Sequence, residues 1–178
     1  MSRRLRPVLV ALAAVGLTSG PACSGPPRRL RAAPLQDGKP ESPPSPAEIA
    51  ERVTKLIALH NEERVKEKRN TLEVSPKLTK AAQRHADDMA RRKKMGHEGS
   101  DGSAPADRIT DEGYRYRRVG ENVAYGRWTP EGLMHGWLES PPHKKNILGS
   151  YSQIGAACAI AEDGTAYWCV TFGLPLRP

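Results

Sequence analysis

The sequence predicts an α+β domain. Two stretches carry apolar residues at helical spacing, start and stop signals bound a third helix, and a C-terminal segment of small and aromatic residues turns at Asp163-Gly164. The small and aromatic residues of that hairpin suit a sheet covered on both faces.

The elements can be read in order. Ser45-Pro46-Ala47-Glu48 has the form of a helix start, with Ser45 as cap, Pro46 at the first helical position and Glu48 completing a capping box. Ile49, Val53, Leu56, Ile57 and His60 then line one face, which predicts a helix to about Lys68. Ser75-Pro76 opens a second helix with Leu78, Ala81, Ala82, His85, Ala86 and Met89 on one face, an end near Lys94 and Gly96 as its left-handed stop. Its alanines imply close packing against another layer. Residues 97–119 read as a loop, with Gly99, Gly102, Pro105 and Gly113; a loop this long in a compact domain is often functional. A third helix is expected from Thr129-Pro130 to just before Pro141-Pro142. Ile154 to Phe172 is the hairpin, and its composition suits a sheet covered on both faces. His60 and His85 fall on inward helix faces and read as framework residues; Trp137, Trp168 and Phe172 read as core.

The N-terminus reads as an export signal, residues 1–23. Arg3, Arg4 and Arg6 precede an apolar run from Pro7 to Leu17 that is short for a membrane span, and small residues lead to Cys23. Cys23 is a lipidation candidate, although Gly20 stands where a lipoprotein signal places leucine; lipid-anchored and freely secreted products both stay open. Residues 24–46, rich in Pro, Arg, Gly and Ser, read as a flexible tether to a domain over 47–178. The net charge of +8 is concentrated outside that domain. Residues 1–46 hold seven Lys/Arg and two Asp/Glu, whereas 47–178 holds 21 against 18. Without a compact aromatic-basic motif, this argues against nucleic acid as a partner. The Arg91-Arg92-Lys93-Lys94 run reads as the solvated last turn of a helix.

Three cysteines leave Cys158 and Cys169 as the pair within the domain. A two-residue turn at Asp163-Gly164 sets them directly opposite each other, at a separation a disulfide accepts, and export permits oxidation. Two buried free thiols are the alternative.

Several motifs, taken together, resemble the CAP superfamily (cysteine-rich secretory proteins, antigen 5, pathogenesis-related 1; the SCP-like extracellular domain) in its bacterial secreted form. They are His60-Asn61 with Arg64, His97, Asp101-Gly102, Arg108, Gly113-Tyr114, Gly120-Glu121-Asn122-Val123-Ala124, and Ser140-Pro141-Pro142-His143-Lys144-Lys145-Asn146-Ile147-Leu148. The resemblance spans about Ala47 to Gly173. It implies a three-layer α-β-α sandwich with a central antiparallel sheet and a cleft across its face. It also implies a metal-binding set of His97, His143 and Glu121 for zinc or another divalent ion, with Asn122, Glu139, Ser140 and Asn146 in the cleft motifs. The family's second acid falls on Ser140; Glu139, one residue earlier, lies about 100° around the helix. Pro142 and Lys144 replace the family's glycine and arginine.

From the residues alone, Glu121 is also an acid able to anchor its own loop, and Asn122 and Asn146 read as hydrogen-bonding residues that fix loops. Three functions follow. One is an extracytoplasmic binding module for a small ligand or envelope component. The second is a metal-assisted or Ser/His hydrolase, and the third a structural or adhesive envelope protein. The missing second acid favours the non-enzymatic readings.

Overall fold

A computed structural model of the protein describes residues 44–176. The leader, the tether up to residue 43 and Cys23 lie outside the described residues. Helix α1 (Pro46–Lys66) begins where the capping box places it: Glu48 N–H donates to Ser45 Oγ at 3.3 Å and Ser45 N–H to Glu48 Oε2 at 2.7 Å. The short β1 (Glu73–Val74) leads into α2 (Pro76–Arg92). Lys93, at φ +51°, ends that helix in the left-handed conformation expected of Gly96.

The segment expected to be loop contains α3 (Pro105–Asp111) and the start of β2 (Tyr116–Tyr125). Pro105 sits in the first turn of α3, and Asp107 Oδ2 accepts the Ala104 N–H at 2.9 Å, a helix-start signal that the glycine-rich surroundings mask. Helix α4 (Pro130–Leu138) is followed by α5 (Pro141–Ile147). The double proline therefore opens a helix as well as closing one; its missing N–H groups fall in the first turn, where no intrahelical partner exists. Strands β3 (Gln153–Ile160) and β4 (Ala166–Pro175) complete the chain.

The four strands run in the order β1-β3-β4-β2; β1 pairs parallel with β3, and the other pairings are antiparallel. Side-chain alternation divides the sheet between two helical layers. Leu56 of α1, Trp137 of α4 and Ile147 of α5 pack with Trp168, Val170 and Phe172 on one face. Ala82, Ala86 and Met89 of α2 pack with Val123, Ala157 and Cys169 on the other, beside a cluster that adds Leu78, Ala81 and Ile109 of α3. The fold is thus an α+β three-layer sandwich. Gly155 sets how closely α2 approaches: a Cβ there would stand 2.2 Å from the backbone of Leu78 and Thr79.

The hairpin overturns the expected disulfide. Ala161 N–H donates to Thr165 O at 2.8 Å, so the turn holds three residues, Glu162, Asp163 and Gly164, with Gly164 at φ +78°. Cys169 consequently pairs with Ala157, and Cys158 with Trp168. One residue of register moves a side chain to the opposite face. Cys158 faces the α1/α4 layer, Cys169 faces α2, and both are buried free thiols. Burial raises both thiols, Cys158 to about 12. We expect both to resist alkylation in the native protein and to alkylate after denaturation without reductant; a mass consistent with a Cys158–Cys169 bridge would contradict this register.

His60 lies at the centre of the α1/α4 core. Its Nδ1–H donates to Leu56 O at 2.8 Å, and its ring lies 5.8 Å from Trp137 and 5.7 Å from Phe172. Burial lowers its pKa from 6.5 to about 4. The unfolded chain takes up this proton first, so stability present above pH 6.5 is lost as the pH falls toward 4. The expected loss is on the order of 3 kcal/mol. Urea unfolding across that window should show a shallower pH dependence in His60→Gln than in the wild type; equal slopes would rule this source out.

Candidate functional site

The candidate site is built around Glu121, in the middle of β2. Alternation along the strand turns Glu121 toward the α2/α3 side and Asn122 toward α5. Glu121 is buried, with both oxygens engaged. Oε1 accepts from His97 Nδ1 at 2.8 Å, and Oε2 accepts from Arg108 Nη2, also at 2.8 Å. His85 Nε2 lies 3.9 Å from Oε1 and donates to Gly96 O at 2.7 Å; Cys169 Sγ approaches Oε2 at 3.5 Å. Burial would raise the Glu121 carboxyl, but the His97 hydrogen bond and the Arg108 guanidinium outweigh it and hold the group below the usual carboxylate range.

A carboxylate only accepts, so His97 carries its proton on Nδ1 and leaves Nε2 as the open nitrogen. The His97 side chain is 56% exposed and therefore reachable from solvent. Arg108 fixes the backbone behind it, donating to His97 O at 3.0 Å and Ser103 O at 2.7 Å.

His143 enters from α5. Its Nδ1 lies 2.8 Å from Ser140 Oγ, and its ring centroid is 6.2 Å from that of Trp137. Its pKa is lowered, first by burial and then by the charge of His97. The asparagines tie α5 to β2: Asn122 Nδ2 donates to His143 O at 3.2 Å, and Asn146 Nδ2 donates to Glu121 O at 3.0 Å and Asn122 Oδ1 at 2.9 Å. Glu139 takes no part. It is exposed and pairs with His135 Nδ1 at 3.7 Å, as its position one residue around the helix from Ser140 dictates.

The expected ligand set His97, His143 and Glu121 does not converge as three donors. Among the described residues, no group of three or more His, Cys, Asp or Glu side chains is placed to hold a metal ion. Arg108 Nη2 also holds Glu121 Oε2 at 2.8 Å, so its guanidinium neutralises the carboxylate a metal would need. His97 keeps its open Nε2 with Glu121 behind it, and His143 stands on α5 against Ser140 and Trp137. Arg108 and His85 are the parts of this network that sequence spacing did not connect to Glu121. A proline and an aspartate flanking a short helix start at Ala104 were the available signal.

The model of the cysteine-rich secretory protein family, CAP, matches residues 57–172, most of the chain. The chain belongs to the CAP family. Among curated relatives, this CAP chain is 31% identical over 124 residues to the uncharacterized protein YkwD of Bacillus subtilis (strain 168), covering 69% of the chain and 48% of YkwD. It therefore spans under half of that relative's length, and 29% of the length of another B. subtilis match, the membrane protein YlbC. An outer surface protein from Borrelia burgdorferi is a structural neighbour at TM-score 0.67 and 25% identity, covering 71% of this chain and 94% of that one. An extracellular SCP-domain protein from Bacillus anthracis str. Ames superposes at TM-score 0.66 and 20% identity, over 75% of this chain and 45% of that one. Among the described residues no helix is long and apolar enough to cross a membrane.

Proposed function

We propose that this CAP domain is an extracytoplasmic binding module whose recognition element is the His97/His143 imidazole pair. The engagement of both Glu121 oxygens by His97 and Arg108 carries this reading. A catalytic zinc site keeps three protein ligands and an open position for water. In this reading the two imidazoles contact the ligand and the acid acts behind one of them, orienting the His97 ring and fixing its tautomer. The pair suits a weakly held divalent metal such as zinc, with ligand groups completing its coordination. A divalent ion bound there would supply Lewis acidity to a ligand oxygen.

A Ser140–His143 hydrolase is supported less well, despite the 2.8 Å contact. Pro141 and Pro142 follow Ser140 directly, which removes two backbone donors that could hold an oxyanion near the serine. Extracytoplasmic placement rests on the basic-apolar leader together with the extracellular and outer-surface neighbours. In this reading the ligand is a small molecule or envelope component, and any membrane attachment runs through lipid at Cys23.

Calorimetric titration of the full chain with zinc tests the reading. Binding should be weaker than about 1 μM, or about 8 kcal/mol, against about 10–16 kcal/mol for structural zinc. Tight binding, or zinc-dependent peptide hydrolysis that disappears in His143→Ala, would replace the binding module with a metalloenzyme.

A further inference from the structure

Helix α5 opens with Ser140-Pro141-Pro142-His143, which has the spacing of a capping box with histidine in place of the acid. Ser45 and Thr129 hold the matching cap positions on α1 and α4. There the hydroxyl accepts from the third helical N–H, that of Glu48 at 3.3 Å and that of Gly132 at 3.1 Å. Ser140 makes no such bond. The first two helical positions of α5 are prolines without an N–H, and the third, His143, meets the serine through its side chain instead. The Ser140 hydroxyl is thus released from the backbone and lies 2.8 Å from His143 Nδ1.

Three contacts hold His143. The ring centroid of Trp137, three residues before Ser140, stands 6.2 Å from that of His143, with the planes tilted by 35°. Asn122 Nδ2 donates to the His143 carbonyl at 3.2 Å. Ser140 Oγ is the only hydrogen-bond partner of the ring nitrogens among the described residues. A neutral imidazole carries one proton, whereas a hydroxyl both donates and accepts. Ser140 and His143 are both partly exposed, so water can take the hydroxyl proton while Oγ accepts the Nδ1–H. His97 has the same arrangement with Glu121, its proton also on Nδ1.

We propose that Ser140 is a positioning residue for His143: its hydroxyl accepts from Nδ1–H, keeps the proton there and leaves Nε2 as the nitrogen open to a ligand. An Nδ1 that already carries a proton cannot take one from the serine, so the same bond removes His143 as a base for Ser140. The ligand that Nε2 would meet rests on the binding function proposed above; the tautomer does not.

The test is side-chain nitrogen NMR of the full chain with labelled histidines, freed of metal by a chelator and held above the ordinary imidazole pKa of about 6.5. His143→Gln assigns the signals. The wild-type His143 should show a protonated Nδ1 and a bare Nε2. Ser140→Ala should move the ring toward the Nε2–H tautomer, and Ser140→Thr, which keeps a hydroxyl, should restore it. Thermal unfolding midpoints should stay close to the wild type in both variants, because the Ser140 side chain does not cap α5. Zinc calorimetry on the same proteins should show about tenfold weaker binding in the alanine variant and recovery in the threonine variant. A wild-type ring protonated on Nε2 would overturn the proposal, and so would an unchanged tautomer in Ser140→Ala or a threonine variant that behaves as the alanine one does. A tautomer shift without zinc binding in any of the proteins would end the metal reading and leave the assignment of Ser140 standing.

Discussion

Replacing Glu121 with alanine is expected to cost about 3–5 kcal/mol of folding stability, because it leaves Arg108 buried without its counter-charge. Arg108 is 2% exposed and donates to Glu121 at 2.8 Å; its other contacts are the carbonyls of His97 and Ser103 and the Ser103 hydroxyl. Those neutral partners cannot replace a carboxylate. An apolar double replacement, Arg108→Met with Glu121→Met, should cost clearly less than the sum of the single changes, because it removes the charge together with its desolvation penalty. Urea unfolding of the four proteins forms a double-mutant cycle, with a coupling expected near the upper part of about 0.5–3 kcal/mol. Additive losses would mean that the two side chains do not form a functional pair. The Glu121 contribution also has a pH sign. Its carboxyl is held low in the folded chain, so its stabilisation is present above the ordinary carboxylate range and is lost as acid protonates the native group.

Arg64→Ala is expected to cost a comparable amount, about 3–4 kcal/mol. Buried in α1, Arg64 donates to four carbonyls: Asn70 at 2.8 Å, Ile147 at 2.7 Å, Gly149 at 2.9 Å and Tyr151 at 3.2 Å. It thereby holds the end of α5 and the turn after it, and α5 carries His143. Arg64→Lys should recover little, since a single ammonium cannot reproduce the spread of the guanidinium donors. Thermal unfolding checks the size of the effect. A lysine variant as stable as the wild type would show that the charge, rather than the fork, is what the carbonyls require.

Legibility in the sequence followed how local each determinant was. The α1 start was legible because Ser45, Pro46 and Glu48 act within one turn. The helix-face assignments of His60 and His85 were legible from periodicity, and the family motifs carried the three-layer architecture. The hairpin register was not, because Asp163-Gly164 fits both a two-residue turn and the last two positions of the three-residue turn, with opposite outcomes for Cys158 and Cys169. Pro141-Pro142 signals both a helix stop and a helix start, and α5 depends on that second meaning. The largest gap lay at Glu121. Sequence motifs place a carboxylate near two histidines, but the identity of its partner depends on where α3 sets Arg108 against the sheet. That is a tertiary fact without a local signature, and the proposed supporting role of the acid rests on it.

The most direct test is zinc calorimetry of Glu121→Gln beside His143→Ala, with both shown to be folded. If the imidazole pair is the recognition element, Glu121→Gln still binds zinc, about 10–100-fold more weakly because His97 loses its orienting partner, while His143→Ala abolishes binding. Abolished binding in Glu121→Gln together with retained binding in His143→Ala would make the carboxylate the true ligand and contradict the account.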